Sequence, residues 1–426
     1  MMDWQQLLCG ERLGGGSGRA DVRSPFERDY GRILFSNAFR RLGAKTQVFP
    51  VPDNDHVHTR LTHSLEVADV GRTLGKLAGA VVAERHDLGP HASEDIAHVV
   101  AAACLAHDLG NPPFGHAGEE ALGQFFEKGP GASYQLSPRQ RADLEHFEGN
   151  AQGFRLLTRL AMNTDQGGMR LTLATLGAFG KYPQTSELRK RDPARPVSGK
   201  KFGCFDAEAE LMAEVAAGCG LLPAGPSAWC RHPLAWLMEA ADDICYSVLD
   251  LEDGCLVGLI SADEARVALA PILDRRAEDL APYAISALRA QAISVLVEQA
   301  VAAFCEVEPA LLAGTHEVSL CDMIPAAKPL AAIYDLNMAR CYRAPVVLGL
   351  EQAGYNVIGG LLEQFCASLD GTRNPRLLQM IPDGLGTKDQ DLYQRLLVIT
   401  DFISGMTDRY AVRLYRNLTG IELQSV

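Results

Sequence analysis

The sequence predicts an all-α protein with few, short strands. Apolar residues recur at helical spacing through most of the chain, and after Thr62 they follow one helical face, with Leu65, Val67, Val70, Leu74 and Leu77. Val, Ile and Thr do not alternate with polar residues over any long run, which argues against a large sheet. The chain contains no internal repeat.

Further helices are predicted, in chain order, at 94–108, 208–217, 232–250, 262–273, 281–304 and 387–416. Two segments are irregular. The glycine-rich stretch at 10–25 indicates that residues 1–24 form a flexible N-terminal arm before a folded part at 25–426. Residues 183–201 form a polar insertion rich in Arg and Lys. This insertion is either a solvated loop or a source of cations for a polyphosphate or nucleic-acid site.

The composition narrows the class of function. The 426 residues are 47% hydrophobic, which is enough for one large core or two smaller ones. The net charge of −13 argues against a generally basic nucleic-acid-binding surface, so an anionic substrate needs a metal or a focused cation cluster. The 11 Cys include no CxxC pair and predict free thiols. No secretion signal or membrane-spanning run is evident, which predicts a cytoplasmic protein without membrane contact.

Metal-type donors occur in three separated segments, as His63, the doublet His107–Asp108, and Asp242. The doublet closes the apolar run IAHVVAAACLAHD just before Gly110 and two prolines, so both side chains should face a cleft at the rim of the core. Nitrogen and oxygen donors of this kind suit a divalent metal that holds phosphate oxygens. A lone His or a His-Asp doublet also occurs in purely structural positions.

Helical spacing selects one of two neighbouring carboxylates in the third segment. A helix at 232–250 places Asp242, Tyr246 and Asp250 at i, i+4 and i+8 on one stripe. Asp243 points about 100° away from this stripe. If the stripe faces the cleft, Asp242 is the better metal ligand and Asp243 is the alternative. The rest of the helix is apolar, so these carboxylates should be buried and should need partners.

A possible proton-transfer pair follows the doublet. His116 lies nine residues after His107, and Glu119 lies three residues after His116. If a helix starts near Gly115, the two side chains share a face, and Glu119 can orient the imidazole and raise its basicity. The alternative is a histidine at a helix start with an acidic residue that favours the helix dipole.

These motifs carry a family resemblance. The pattern H…HD…D is the signature of the HD-domain metal-dependent phosphohydrolases. Several longer stretches resemble bacterial deoxyguanosine triphosphate triphosphohydrolases and related dNTP triphosphohydrolases: RRLGAKTQVFP (40–50), HTRLTHSLEVADVGRTLG (58–75), AHDLGNPPFGHAGEEAL (106–122), HFEGNAQGFRLLTRL (146–160), EAADDICYSVLDLEDG (239–254) and GYNVIGGLLEQF (354–365). The resemblance begins near residue 25. It implies an HD-domain helical bundle core at about 58–255 and a helical C-terminal part at about 256–426.

The resemblance implies a reaction in which water converts a dNTP, dGTP among them, to a deoxynucleoside and inorganic triphosphate. It implies Mn²⁺ or Mg²⁺ held by His63, His107, Asp108 and Asp242, with proton transfer by His116 and orientation by Glu119. The implied substrate-binding residues are Gln47, Arg60, Asn150, Lys181, Tyr246 and Asp250. Among these, the Tyr246 ring would exclude a ribose 2′-hydroxyl, and Asp250 would accept from the 3′-hydroxyl. Relatives often carry Gln after RRL, where this chain has Gly43 and Ala44, so the expectation is a dNTP rather than dGTP alone.

Two alternatives stay open at the level of sequence. One is an HD phosphohydrolase that acts on a nucleoside monophosphate, a cyclic nucleotide or a guanosine polyphosphate. The other is a non-catalytic nucleotide- or DNA-responsive protein on an HD scaffold. The resemblance also implies a homo-oligomer, either a tetramer or a hexamer, with a dNTP or single-stranded DNA as a possible effector.

Overall fold

The computed structural model describes residues 1–15, 22–49, 56–162, 167–188, 195–382 and 390–421. Helices dominate these ranges, which confirms the all-α prediction. The strands of the described residues are β1 (Pro223–Gly225) and β2 (Ala228–Trp229), which form one short antiparallel pair. None of the described helices has both the length and the apolar character needed to cross a membrane.

The first half of the chain forms the helices α1 (Trp4–Leu7), α2 (Pro25–Leu34), α3 (Asn37–Arg41), α4 (Arg60–His86), α5 (Ala92–Ala106), α6 (His116–Glu127), α7 (Pro138–Glu145), α8 (Gly149–Arg155), α9 (Leu173–Phe179) and α10 (Ala209–Gly218). The second half forms α11 (Pro233–Leu256), α12 (Ala262–Leu269), α13 (Ile285–Ala313), α14 (Leu320–Met323), α15 (Ala327–Asn337), α16 (Pro345–Leu369), α17 (Leu392–Ser404) and α18 (Asp408–Thr419). Short π-helical segments follow α8 and α15, at Leu156–Leu160 and Met338–Tyr342.

A helix forms at each predicted position, but several bounds differ. The helix predicted at 232–250 continues to Leu256, and the one predicted at 281–304 runs from Ile285 to Ala313. The helix predicted at 262–273 ends at Leu269, because Pro271 has no backbone N–H to continue the series of helical hydrogen bonds. The helix predicted at 387–416 is wrong as a single element. It is split at 405–407, where Thr407 accepts from the backbone N–H of Tyr410 and starts α18. Residues 383–389 lie outside the described part.

Helices α4 and α5 are antiparallel neighbours that approach each other closely. A Cβ on Gly75 would lie 2.9 Å from the Cα of Ala97, and one on Gly79 would lie 3.1 Å from the Cα of Ser93. Glycine at these α4 positions therefore lets the two backbones come together. This packing brings the start of α4 beside the end of α5, where His63 and His107 lie.

The buried apolar residues of the described ranges form two clusters. In the larger one, α11 packs against α4, α5 and α13. In the second, α16 packs against α6, α17 and α18. Because α11 runs to Leu256 and α13 packs against both α4 and α11, the larger cluster is continuous across the predicted boundary near residue 255. That boundary stays a prediction.

The described N-terminal residues do not extend from the body as the predicted flexible arm. The backbone N–H of Met2 donates to the carbonyl oxygen of Leu312 at 2.7 Å, and Trp4 Nε1 donates to Glu308 Oε1 at 2.7 Å. Trp4 and Leu7 are buried, and removing such large apolar side chains from water holds this segment against α13. Residues 16–21 of the predicted arm lie outside the described part.

Candidate active site

The predicted metal donors converge at the meeting point of α4, α5 and α11. Ligand atoms of His63, His107 and Asp108 all lie within 4.8 Å of one another. Asp242 Oδ1 lies 3.2 Å from His63 Nε2 and 3.5 Å from His107 Nε2. Asp243, the alternative, points elsewhere and accepts a hydrogen bond from Ser319. The structure therefore brings Asp242, and not Asp243, to the two imidazoles, in agreement with the helical spacing.

The hydrogen bonding of His107 leaves one ring nitrogen available to a metal. Its Nδ1 lies 2.6 Å from the carbonyl oxygen of Cys104, one turn back in α5. A carbonyl oxygen only accepts, so Nδ1 carries the proton and Nε2 presents a lone pair. Orientation of a ligating imidazole by a backbone carbonyl is common at metal sites. The residues present therefore fit a divalent metal with mixed nitrogen and oxygen ligands.

Both carboxylates of this cluster are held in the ionised form. Burial would raise the pKa of Asp242, but His107, the hydrogen bond from His63 and the Lys181 charge outweigh it and hold the pKa below its ordinary value. Burial would likewise raise the pKa of Asp108, but the Arg60 guanidinium and His107 hold it lower. Ionised oxygens are the form that a metal ligand requires.

The two oxygens of Asp108 have different protein donors. Arg60 Nη1, in the first turn of α4, donates to Oδ2 at 2.9 Å. Asn111 Nδ2 donates to Oδ1 at 2.5 Å from the turn that follows the doublet. Asp108 is buried, and these two bonds fix the plane of its carboxylate. Sequence reasoning missed Asn111, although its position three residues after Asp108 was a local signal.

The expected helix start at Gly115 is confirmed, and α6 begins with His116. His116 Nδ1 donates to Glu119 Oε2 at 2.6 Å, and Glu119 Oε1 accepts from the backbone N–H of Gly149 at 2.7 Å. The hydrogen bond to Glu119 and the charge of that carboxylate raise the pKa of His116 above its ordinary value. The imidazole side chain is 88% exposed and opens onto the cavity.

Cations line the same cavity. Lys181 Nζ lies 3.1 Å from Glu239, and Lys201 Nζ lies 2.9 Å from Glu148. Burial would lower the pKa of Lys181, but the Glu239 carboxylate raises it above its ordinary value, so the side chain is a cation. Lys201 was not among the predicted site residues. It ends the polar insertion at 183–201, of which residues 189–194 lie outside the described part.

A pair of tyrosines closes one side of the cavity. The rings of Tyr246 and Tyr342 are stacked, with centroids 5.6 Å apart and planes 11° apart. The Tyr342 hydroxyl donates to Asp250 Oδ2. Asp250 is buried, and burial raises its pKa to about 8 against the effect of that hydrogen bond. Asp250 therefore reaches the cavity through Tyr342, which sequence reasoning did not identify.

The predicted site residues other than Asp250 line one cavity of about 360 Å³. They include Gln47, whose buried Oε1 has no hydrogen-bond partner among the described residues, and Asn150. Additional lining residues come from α16, namely Val347, Leu350 and Glu351. The cavity thus joins metal-type donors, cations, a stacked aromatic pair and an unsatisfied amide oxygen.

Comparison with known proteins identifies the family. The HD domain matches residues 60–139, and a phosphohydrolase-associated domain matches residues 325–417. The deoxyguanosinetriphosphate triphosphohydrolase-like protein of Synechocystis sp. is 43% identical over 99% of this chain and its own full length. The chain belongs to the deoxyguanosinetriphosphate triphosphohydrolase-like family of HD-domain proteins. A second deoxyguanosinetriphosphate triphosphohydrolase-like protein, from Pseudomonas aeruginosa, is 40% identical over 98% of this chain and 99% of its own length.

A further member of the deoxyguanosinetriphosphate triphosphohydrolase family, from Klebsiella pneumoniae, carries that name without the suffix "-like". It is 32% identical over 94% of this chain and 95% of its own length. The HD match contains His63, His107 and Asp108, and it ends before Asp242. The chain is therefore a phosphohydrolase of this family, with the cavity described above as its candidate active site.

Proposed function

We propose that the protein hydrolyses dNTPs, with dGTP among the substrates, to a deoxynucleoside and inorganic triphosphate. One observation carries this proposal: a single cavity of about 360 Å³ contains the metal-type donors, the cations Lys181 and Lys201, and the stacked pair Tyr246–Tyr342. The donors and the cations suit a polyphosphate. The aromatic wall suits the sugar end of a nucleotide.

The donor set indicates the class of metal. His63, His107, Asp108 and Asp242 combine imidazole nitrogens with carboxylate oxygens, which suits Mn²⁺ better than Mg²⁺, since Mg²⁺ prefers oxygen ligands. When bound, such an ion polarises a phosphate oxygen and makes water more acidic.

The protein side chains supply binding and proton transfer. Arg60, Lys181, Lys201 and Asn150 face the cavity and can neutralise or hydrogen-bond phosphate oxygens. A P–O bond forms between water and the α-phosphorus, and the bond from that phosphorus to the 5′-oxygen breaks. His116, whose pKa is raised by its hydrogen bond to Glu119, donates a proton from its imidazolium form to the departing 5′-oxygen, and the proton lost by the attacking water passes to solvent.

The tyrosine pair and Gln47 explain recognition of the deoxynucleoside. We propose that the Tyr246 ring packs against the sugar at C2′, which leaves no room for a 2′-hydroxyl. Asp250 is proposed to bind the 3′-hydroxyl together with the Tyr342 hydroxyl that contacts it. The unpartnered Oε1 of Gln47 can accept from a sugar hydroxyl or a base N–H.

A direct screen tests this function. The four dNTPs are incubated with the protein and Mn²⁺ or Mg²⁺, with and without a second dNTP or single-stranded DNA, and triphosphate release is scored. Release of intact triphosphate supports the proposal. Release of orthophosphate or pyrophosphate favours another HD phosphohydrolase, and binding without turnover favours a non-catalytic nucleotide- or DNA-responsive protein. The cytoplasmic location, the tetrameric or hexameric state and the dNTP or DNA effector stay predictions.

A further inference from the structure

Lys45 is a buried lysine beside the candidate active site. Its side chain is almost inaccessible to solvent, with 3% of the residue exposed. Its Nζ donates to the carbonyl oxygen of Asn111 at 2.5 Å and to that of Ser404 at 2.8 Å. No carboxylate of the described residues forms an ion pair with it. Burial and the neighbouring Arg41 lower the pKa of Lys45 to about 7, so this position is electrostatically unfavourable for an ammonium group.

The two main-chain segments that Lys45 contacts are the segments that hold Asp108. Asn111, whose carbonyl oxygen accepts from Nζ, donates through its side chain to Asp108 Oδ1. The carbonyl oxygen of Lys45 accepts from the backbone N–H of Arg60 at 3.3 Å, and the Arg60 guanidinium donates to Asp108 Oδ2. Lys45 thus supports both protein donors to this carboxylate, one through its side chain and the other through its main chain.

A second set of contacts connects the same junction to the C-terminal helices. Asp408, at the start of α18, accepts from the backbone N–H of Thr46 at 2.9 Å through Oδ2. Its Oδ1 accepts from the backbone N–H of Phe114 at 3.2 Å, directly before the turn that leads to His116. Together with the bond from Lys45 to Ser404, these contacts fix the α17–α18 turn to the segments on both sides of the cavity.

A merely space-filling role does not explain a lysine at this position. An apolar side chain of similar length would fill the same volume without the cost of removing an amine from water. That cost is offset by hydrogen bonds to two carbonyl oxygens from segments far apart in the chain and, in part, by the nearby charges of Asp408 and Asp108. The specific consequence of the lysine is therefore the fixed position of the Asn111 and Ser404 main chains.

We propose that Lys45 is a positioning residue of the catalytic site, which acts on Asp108 through Asn111 and joins the metal-binding turn to the C-terminal helical region. The proposal rests on the function proposed above, because it assigns Asp108 to the metal site. Lys45 itself does not line the cavity, so it does not touch the substrate.

A double-mutant cycle tests this role. Lys45→Met keeps most of the length of the side chain and removes its donors, and Asn111→Ala removes the hydrogen bond to Asp108. Each single variant should lower kcat by roughly 10- to 100-fold through misplacement of Asp108 and should weaken Mn²⁺ binding in an EPR titration. If Lys45 acts through Asn111, the double variant should be little worse than the more impaired single variant.

The controls separate positioning from loss of the fold. Lys76→Met removes an exposed lysine from α4, with its surface pair to Glu94, and should leave kcat and Mn²⁺ affinity unchanged. Lys45→Met and this control should both remain folded at the assay temperature, as checked by thermal melting. Lys45→Gln retains N–H donors and should recover part of the lost Mn²⁺ affinity. This variant also tests the positioning role if Lys45→Met does not fold.

Other outcomes would overturn the assignment. One is a Lys45→Met variant that keeps full kcat and full Mn²⁺ affinity. Another is a double variant whose loss of kcat equals the product of the two single losses. The third is a loss of kcat and Mn²⁺ affinity that is fully explained by the fraction of unfolded protein. Absence of triphosphate release by the wild-type protein would refute the proposed function. The EPR titration would still report on the metal site that contains Asp108, so the role of Lys45 is tested separately.

Discussion

Replacement of Glu119 by Gln gives a sharp test of proton transfer by His116. The carboxylate accepts from His116 Nδ1 through one oxygen and from the Gly149 N–H through the other. Glutamine has only one carbonyl oxygen, so it cannot reproduce both contacts. A hydrogen bond to a charged group contributes about 1.5–3 kcal/mol, and about 1.4 kcal/mol corresponds to a tenfold change in rate. Glu119→Gln should therefore lower kcat by roughly 10- to 100-fold.

The pH dependence of kcat distinguishes this mechanism from general damage. Glu119 raises the pKa of His116, so its removal lowers that pKa and leaves less imidazolium at neutral pH. If imidazolium is the proton donor, the alkaline limb of the pH–rate profile should move to lower pH. His116→Ala should remove that limb and slow turnover by about 10²–10⁴-fold.

A neighbouring carboxylate provides the matched control. Glu120 is exposed on the same helix and accepts only from the Gln124 side chain among the contacts of the described residues. Glu120→Gln should leave kcat and the pH–rate profile unchanged. An unchanged kcat and pH–rate profile in Glu119→Gln would refute the proton-transfer role of the pair.

Three further predictions follow from the same geometry. Tyr246→Ala should reduce the preference for dNTPs over ribonucleotides in kcat/KM by about 10- to 100-fold, and an unchanged preference would remove the proposed role of the ring. Asp242→Asn should lower kcat at least about 100-fold while Asp243→Asn retains most activity; equal losses would contradict the ligand assignment. Hydrogen bonds to Asp253 and Glu66 outweigh burial and raise the pKa of His58 from 6.5 to about 10. The stability lost in His58→Gln should therefore be largest below pH 6.5 and should vanish near pH 10, as measured by chemical denaturation; a pH-independent difference would contradict this pairing.

Local periodicity predicted much of the fold and part of the site. The helix that carries Asp242 formed as expected, and its spacing separated Asp242 from Asp243 because a helical turn fixes their directions. The pair His116–Glu119 could be predicted for the same reason, since both side chains lie in the first turn of one helix. The apolar run before His107 likewise indicated a helix that ends at the rim of the core.

Contacts between segments that are distant in the chain could not be predicted from local sequence periodicity. Lys201 reaches the cavity at the end of an irregular polar insertion that has no periodicity. Tyr342 lies in a π-helical segment, where the ordinary spacing of side chains does not apply. Lys45 forms hydrogen bonds to Asn111 and Ser404, which follow it in the chain by 66 and 359 positions. The packing of Met2 and Trp4 also depended on a partner surface, on α13, that appears only in the folded chain.

Hydrolysis in ¹⁸O-labelled water tests the central claim most directly. The wild-type protein, with Asp108→Ala as the inactive control, would be incubated with dGTP and Mn²⁺, and the products analysed by ³¹P NMR and mass spectrometry. Attack of water at the α-phosphorus predicts inorganic triphosphate that carries one ¹⁸O and a deoxynucleoside without label. Label in the 5′-hydroxyl of the deoxynucleoside, or release of orthophosphate or pyrophosphate in place of triphosphate, would contradict the account.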